Sequence, residues 1–160
     1  PPAMSHGVRE DMPAAVAAGF KFLLFQEPSS AVLRAVEAYV RWLPIEPSPW
    51  QVQGKLSEKS RRGKSIFEDS RVACASCHPG PLYTDLRSHN VGTRVEPDGS
   101  GQFDTPTLVE LWRTAPYYHH GRAATLQQAL TTLNPHDKHG TTSHLSGKDL
   151  DALIEYLLSL

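Results

Sequence analysis

Cys74-Ala75-Ser76-Cys77-His78 is the stretch of this sequence that decides the fold. Two cysteines three residues apart, followed at once by a histidine, form the C-x-x-C-H signal for covalent attachment of a c-type haem. In that chemistry each thiol forms a thioether to one edge of the porphyrin, and the histidine binds the iron. We therefore predict that Cys74 and Cys77 tether one haem c and that His78 is its proximal ligand.

Three other uses of the cysteine pair are a local disulfide, a thioredoxin-like redox pair and half of a zinc site. Cys74 and Cys77 are the only cysteines among 160 residues, so histidines without finger spacing would have to complete a zinc site. A redox C-x-x-C usually accompanies a βαβ pattern, and the sequence has no alternating strands. Covalent haem is the favoured interpretation.

Composition indicates a soluble domain of ordinary size, because 39% of the residues are apolar, 21% are charged and the net charge is −1. The near-neutral charge argues against a nucleic-acid partner. We expect no membrane span, since the longest apolar run is far shorter than the roughly 20 residues required. The chain opens Pro1-Pro2-Ala3 without a signal sequence, as in a mature protein or a piece of a larger one. Haem c is generally attached outside the cytoplasm, so we expect a periplasmic or otherwise extracytoplasmic location.

Helical periodicity predicts an N-terminal extension before the haem domain. Residues 11–26 favour a helix, and residues 29–43 favour one more strongly, with an apolar face and a capping serine. Three prolines between residues 44 and 49 end that pattern. We therefore predict a helical extension with a proline-rich linker over residues 1–54 and a cytochrome c domain over residues 55–160.

Two further helices are predicted at opposite ends of the second domain. The first begins at Ser57 and carries Gly63 and Phe67 one turn apart, and the last is capped by Ser146 and has Tyr156 on its apolar side. In class I cytochromes a first helix with a small residue and an aromatic crosses the last helix. The predicted fold is therefore all-α and class I cytochrome c-like around one covalent haem.

A series of motifs in this second domain is far more specific than C-x-x-C-H alone. They are Arg62-Gly63-Lys64-x-Ile66-Phe67, Cys74-x-x-Cys77-His78-x-Gly80-Pro81-Leu82-Tyr83-Thr84-Asp85, His89-Asn90-x-Gly92-Thr93, Phe103-Asp104-Thr105-Pro106-Thr107-Leu108 and Arg113-Thr114-Ala115-Pro116-Tyr117-Tyr118-His119-x-Gly121. Over about residues 55–160 the chain resembles the C-terminal haem domain of the bacterial di-haem cytochrome c peroxidase and MauG family.

The resemblance implies electron transfer, because in that family the C-terminal haem relays an electron and the N-terminal haem reacts with peroxide. This chain carries one C-x-x-C-H, of the C-terminal kind. We expect a relay domain that exchanges electrons with a redox partner protein or a fused domain. The alternative is a peroxidase-like or oxidase-like enzyme whose haem has an open distal site.

The sixth iron ligand is left open between three histidines and no protein ligand. The family takes Met or Tyr from the segment before the last helix, but residues 122–145 contain neither, and Met4 and Met12 lie in the extension. The segment offers His136, His139 and His144 instead. His139 ranks first because Lys-His-Gly-x-Thr recurs in similar single-haem domains and Gly140 allows close approach of the backbone. Bis-His ligation would give a lower potential than His/Met.

The remaining site residues follow from the resemblance. His89 and His119 match positions near the haem, where they would hold loops or propionates rather than bind iron, and Arg113 is a candidate for neutralising a propionate, as are Arg94 and Arg122. We expect His78 to donate its second ring N–H to a backbone carbonyl of residues 79–81. In the family, carbonyls at the positions of Thr114 and Pro116 help to bind a calcium ion between the two domains. We have little expectation of calcium binding in this chain.

Overall fold

The computed structural model describes residues 10–160 of the chain. Residues 1–9, which include Met4 and the start of the predicted extension, lie outside the described residues. The chain forms two compact units, one ending at Ile45 and the other covering Glu46–Leu160. None of the helices within residues 10–160 combines the length and the apolar character needed to cross a lipid bilayer.

The first unit contains two helices, as the periodicity of the sequence predicts. Helix α1 covers Met12–Leu23 and begins where the Asp11 side chain accepts a hydrogen bond from the Ala14 N–H at 2.9 Å. Helix α2 covers Ser30–Trp42 and is capped by Ser29. Pro13 is compatible with α1 because it lies in the first turn, where a missing N–H breaks no helical hydrogen bond.

The second unit consists of short helices connected by ordered loops. Its elements are α3 (Glu58–Glu68), α4 (Cys74–Cys77), β1 (Ser88–His89), β2 (Phe103–Asp104), a 3-10 helix (Leu111–Arg113), α5 (Leu126–Leu130) and α6 (Gly147–Leu158). The only strands described are β1 and β2, which pair antiparallel with His89 opposite Phe103. Helix is therefore the dominant structure, as predicted.

Helices α3 and α6 cross at Gly63, as the sequence predicts for a class I cytochrome c fold. A Cβ atom at Gly63 would overlap the Ala152 carbonyl and lie 2.7 Å from the Tyr156 Cβ, so only glycine permits this approach. The rings of Phe67 and Tyr156 meet edge to face with centres 5.4 Å apart. Both helices begin at the predicted caps, Ser57 and Ser146. The crossing joins the beginning and end of the unit and encloses its apolar core.

Residues 46–54 make hydrogen bonds with the end of α6. The Ser48 hydroxyl donates to the Leu158 carbonyl at 2.5 Å, and the Gln51 side-chain amide donates to the Ser159 carbonyl at 2.9 Å. Ser48 is buried in this arrangement. The proline-rich segment is therefore part of the second unit from Glu46 onward, while the domain boundary expected at residues 54 and 55 stays a prediction.

Candidate haem site

The C-x-x-C-H motif forms a single helical turn whose two cysteines are half-buried and whose histidine is buried. Helix α4 covers Cys74–Cys77 and follows Ala73, whose φ of 64° is left-handed. Neither cysteine forms a disulfide. Burial, with a contribution from Cys77, raises the pKa of the Cys74 thiol to about 11.

A cluster of side chains that could bind a metal ion includes Cys77 but not Cys74. Within the described part of the chain, Cys77, Asp85 and His89 offer ligand atoms that all lie within 4.8 Å of one another. His89 is engaged by Asp85 through a hydrogen bond of 2.7 Å. A structural zinc site needs four ligands, so this trio does not complete one.

His78 is buried and oriented by a backbone carbonyl. Its Nδ1 lies 2.9 Å from the Tyr83 carbonyl oxygen, and because a carbonyl only accepts, Nδ1 carries the proton and Nε2 keeps its lone pair. The kind of partner agrees with the sequence-based expectation, but the carbonyl belongs to Tyr83 rather than to residues 79–81. Tyr83 has a φ of 53°, a turn that residue types alone do not indicate. Burial lowers the pKa of His78, and the hydrogen bond to the Tyr83 carbonyl offsets part of this shift.

The imidazole ring of His139 lies near that of His78. The centres of the two imidazole rings are 6.3 Å apart. Two imidazoles that bind one metal ion from opposite sides have ring centres about 6 Å apart, because each metal–nitrogen bond is about 2 Å and each ring adds about 1 Å. The other two candidates, His136 and His144, are exposed. Desolvation, together with the proximity of His78, lowers the pKa of His139 to about 4, so its ring is neutral at physiological pH.

The ring of His139 is oriented by Tyr118. The Tyr118 hydroxyl donates to the Ala129 carbonyl at 2.6 Å and lies 3.4 Å from Nδ1 of His139. Since the hydroxyl hydrogen is used by Ala129, the hydroxyl oxygen accepts from the imidazole, which leaves Nε2 of His139 unprotonated. Burial raises the pKa of Tyr118 to about 12. The resemblance points to the neighbouring His119, and no local sequence pattern indicates the contact between Tyr118 and His139.

The backbone beside His139 approaches the attachment helix closely. Gly140 has a φ of 75°, and a Cβ atom there would lie 3.3 Å from the Val72 carbonyl oxygen and 3.5 Å from Sγ of Cys74. The sequence predicted a close approach of the Gly140 backbone to the porphyrin. In the structure the Gly140 backbone comes close to Cys74, one of the two cysteines expected to hold the porphyrin.

The other predicted site residues make separate contacts. Burial alone would raise the pKa of Asp85, but hydrogen bonds, first from His89, lower it to about 2. His119 lies 2.9 Å from a carboxylate oxygen of Asp98 and stacks on Phe103 with ring centres 3.8 Å apart. These contacts fit the expected role of a buried group that holds a loop.

Two of the three arginines expected near propionates, Arg113 and Arg94, have carboxylate or carbonyl partners in this structure. Arg113 pairs with Glu110 at 2.5 Å and is half-exposed. Arg94 pairs with Glu96 at 3.1 Å and donates to the carbonyls of Asp98 and Gly99. Their contact with a haem stays a prediction.

Comparison with curated proteins finds several relatives. The chain is 34% identical to the hydrazine synthase subunit gamma of Kuenenia stuttgartiensis over 171 aligned positions, which cover 80% of this chain and 48% of that protein. It is 26% identical to the cytochrome-c peroxidase IdrP1 of Denitromonas iodatirespirans, with 53% of this chain and 34% of that protein covered. Identity to the methylamine utilization protein MauG of Methylorubrum extorquens is 27%, over 66% and 35% of the two chains. The chain thus spans about half the length of the first relative and about a third of the other two.

Solved structures show the same fold. A Kuenenia stuttgartiensis hydrazine synthase chain matches with a TM-score of 0.82 and 31% identity, covering 92% of this chain and 61% of that one. A MauG-like protein associated with microbial copper homeostasis matches with a TM-score of 0.74 at 16% identity, covering 98% and 68%. No protein-family model matches the chain. Together with the motifs, these relatives show that the chain is similar to the bacterial di-haem cytochrome c peroxidases and MauG and corresponds to part of their length.

Proposed function

We propose that this chain is an electron-transfer domain built around one covalently bound haem c. Cys74 and Cys77 would tether the porphyrin, and His78 and His139 would bind the iron. When bound, the haem supplies a single-electron redox centre. The observation that carries the proposal is the 6.3 Å separation of two imidazole rings, each with its Nδ1 engaged by an oxygen atom.

The protein's own contribution is to orient the ligands and to exclude water. The Tyr83 carbonyl and the Tyr118 hydroxyl accept from the two Nδ1 atoms, which makes both imidazoles more basic and leaves both Nε2 atoms unprotonated. Two imidazole ligands stabilise ferric iron more than an imidazole and a thioether do, so the potential is lower than with His/Met ligation. His78 is 8% exposed, so little water reaches that ligand.

We place the domain in the periplasm or an equivalent compartment, as a relay within or beside a larger redox protein. Support comes from the covalent-haem motif and from relatives that are two to three times as long as the matched region. The second candidate is a peroxidase-like enzyme, which the name of the Denitromonas relative favours. A neutral imidazole facing His78 counts against that candidate, because it closes the position at which peroxide would bind.

Mass spectrometry and optical spectroscopy test the proposal together. The denatured protein should retain one haem mass, and the ferric protein should be low-spin and slow to bind cyanide. His139→Ala should make the haem high-spin and open to cyanide. His136→Ala and His144→Ala are matched controls at exposed histidines of the same segment and should leave the spectrum unchanged. A bare polypeptide mass refutes haem attachment, and a high-spin wild-type protein that binds peroxide rapidly favours the enzyme.

A further inference from the structure

The side chain of Asn134 binds both peptide groups of His139. Its Oδ1 accepts from the His139 N–H at 2.9 Å, and its Nδ2 donates to the carbonyls of His139 at 3.1 Å and Gly140 at 2.8 Å. Asn134 is 5% exposed. One buried carboxamide therefore fixes the backbone on both sides of the Cα that carries the imidazole.

The loop around His139 is closed by further local hydrogen bonds. Asp137 accepts from the N–H groups of Thr142 at 3.0 Å and Ser143 at 3.1 Å, and the Thr142 hydroxyl donates to the Leu130 carbonyl at 2.5 Å. The Asn134 amide also lies 3.4 Å from that hydroxyl. These hydrogen bonds hold the loop in place around the Asn134 side chain. The position of the Asn134 amide relative to the His139 backbone is therefore fixed by the loop.

We infer that Asn134 is a positioning residue that keeps His139 on the iron and so determines whether the sixth position is closed. This inference rests on the proposed function. An external ligand would reach the iron when the His139 imidazole is displaced, and a displacement that moves the backbone at residue 139 works against the bonds to Asn134. That movement breaks three hydrogen bonds to the buried Asn134 amide. These bonds therefore reduce the population of the form in which His139 has left the iron.

The test is Asn134→Asp in the haem-loaded protein. The carboxylate keeps an acceptor for the His139 N–H, but it replaces an N–H donor with an oxygen that faces two carbonyls. We expect a high-spin fraction in the ferric spectrum and cyanide association about tenfold faster or more. Asn90→Asp is the matched control, since Oδ1 of Asn90 accepts from the Gly92 N–H at 3.0 Å and a carboxylate retains that bond. It should bind cyanide at the wild-type rate.

A second variant and a stability control distinguish a specific effect on the position of His139 from a general loss of protein stability. Asn134→Ser adds no charge but is too short to reach both peptide groups, so it should change the cyanide rate in the same direction even if the aspartate variant does not fold. Gly63→Ala should lower the thermal midpoint while leaving cyanide association unchanged. Folded Asn134 variants that stay low-spin with wild-type cyanide kinetics would overturn the inference, and if His139→Ala is high-spin in the same assay, the proposed ligation survives that result.

Discussion

The backbone N–H of Thr141 donates to the carbonyl of Val72 at 2.9 Å. This bond joins the loop that carries His139 to the chain two residues before Cys74. The expected distal ligand and the expected tether are therefore connected directly, without passing through the rest of the core. The position of the His139 loop relative to Cys74 depends on the close approach at Gly140. A substitution of Gly140 therefore tests this connection.

Gly140→Ala should destabilise the protein by about 1 to 3 kcal/mol, since alanine is strained at positive φ and its Cβ would press on Val72 and Cys74. Gly54→Ala isolates the strain, because Gly54 has a φ of 72° but open space around its Cβ position. The free energy of unfolding in urea and the fraction of protein with covalent haem are the measurements. Equal effects of the two substitutions would show that the approach to Cys74 is unimportant.

Gly63→Ala should lower the free energy of unfolding by about 1 to 3 kcal/mol, because the new methyl group overlaps the Ala152 carbonyl at the helix crossing. Gly147→Ala provides the comparison on α6, where a Cβ atom meets nothing within 4 Å. That control should be neutral or slightly stabilising, as alanine favours helix. Thermal unfolding followed by far-UV circular dichroism distinguishes them, and a neutral Gly63→Ala would mean that the helices can separate at little cost.

Tyr118→Phe should raise the reduction potential of the haem-loaded protein. Without the hydroxyl, Nδ1 of His139 loses its acceptor, the imidazole becomes less basic and ferric iron is stabilised less. Tyr117→Phe removes a neighbouring hydroxyl whose partner is the Leu111 carbonyl at 3.4 Å, and it should leave the potential unchanged. A redox titration gives the answer. A fall in potential, or the same shift in both variants, would contradict a specific contact with His139.

Glu155→Gln should weaken the protein at neutral pH and reduce its sensitivity to acid. The carboxylate accepts from Ser57 at 2.5 Å and pairs with Lys59 at 3.2 Å. The Ser57 hydrogen bond lowers the pKa of Glu155 below its ordinary value of 4.5 despite some burial, and Lys59 contributes in the same direction. The stability that Glu155 contributes is therefore present above pH 4.5 and lost as the pH falls through the lowered pKa.

Urea unfolding between pH 3 and pH 7 measures that contribution. We expect the wild type to exceed Glu155→Gln by about 1 to 2 kcal/mol at pH 7, with the difference shrinking toward pH 3. Asp151→Asn removes an exposed carboxylate from the same helix and should have little effect at any pH. A difference that grew in acid would reverse the assigned sign.

Local sequence patterns predicted much of the fold and part of the site. Serine caps, apolar periodicity and the small residue at position 63 are signals carried within one helix, and they gave α3, α6 and their crossing correctly. The choice of His139 came from the resemblance to single-haem domains, and its binding to iron stays a prediction. Asn134 and Tyr118 were missed because their partners are set by the fold: Tyr118 lies 21 residues from His139, and a loop asparagine more often indicates a turn. The two-residue strands are too short for alternation to show.

The bonds from Ser48 and Gln51 to the end of α6 bear on how this domain can be produced by itself. A shortened chain that starts at Lys55 would leave the carbonyls of Leu158 and Ser159 without these donors and uncover the C-terminal turn. One that starts at Glu46 would retain both. The fragment best suited to recombinant expression is therefore longer than the region that its cytochrome motifs define.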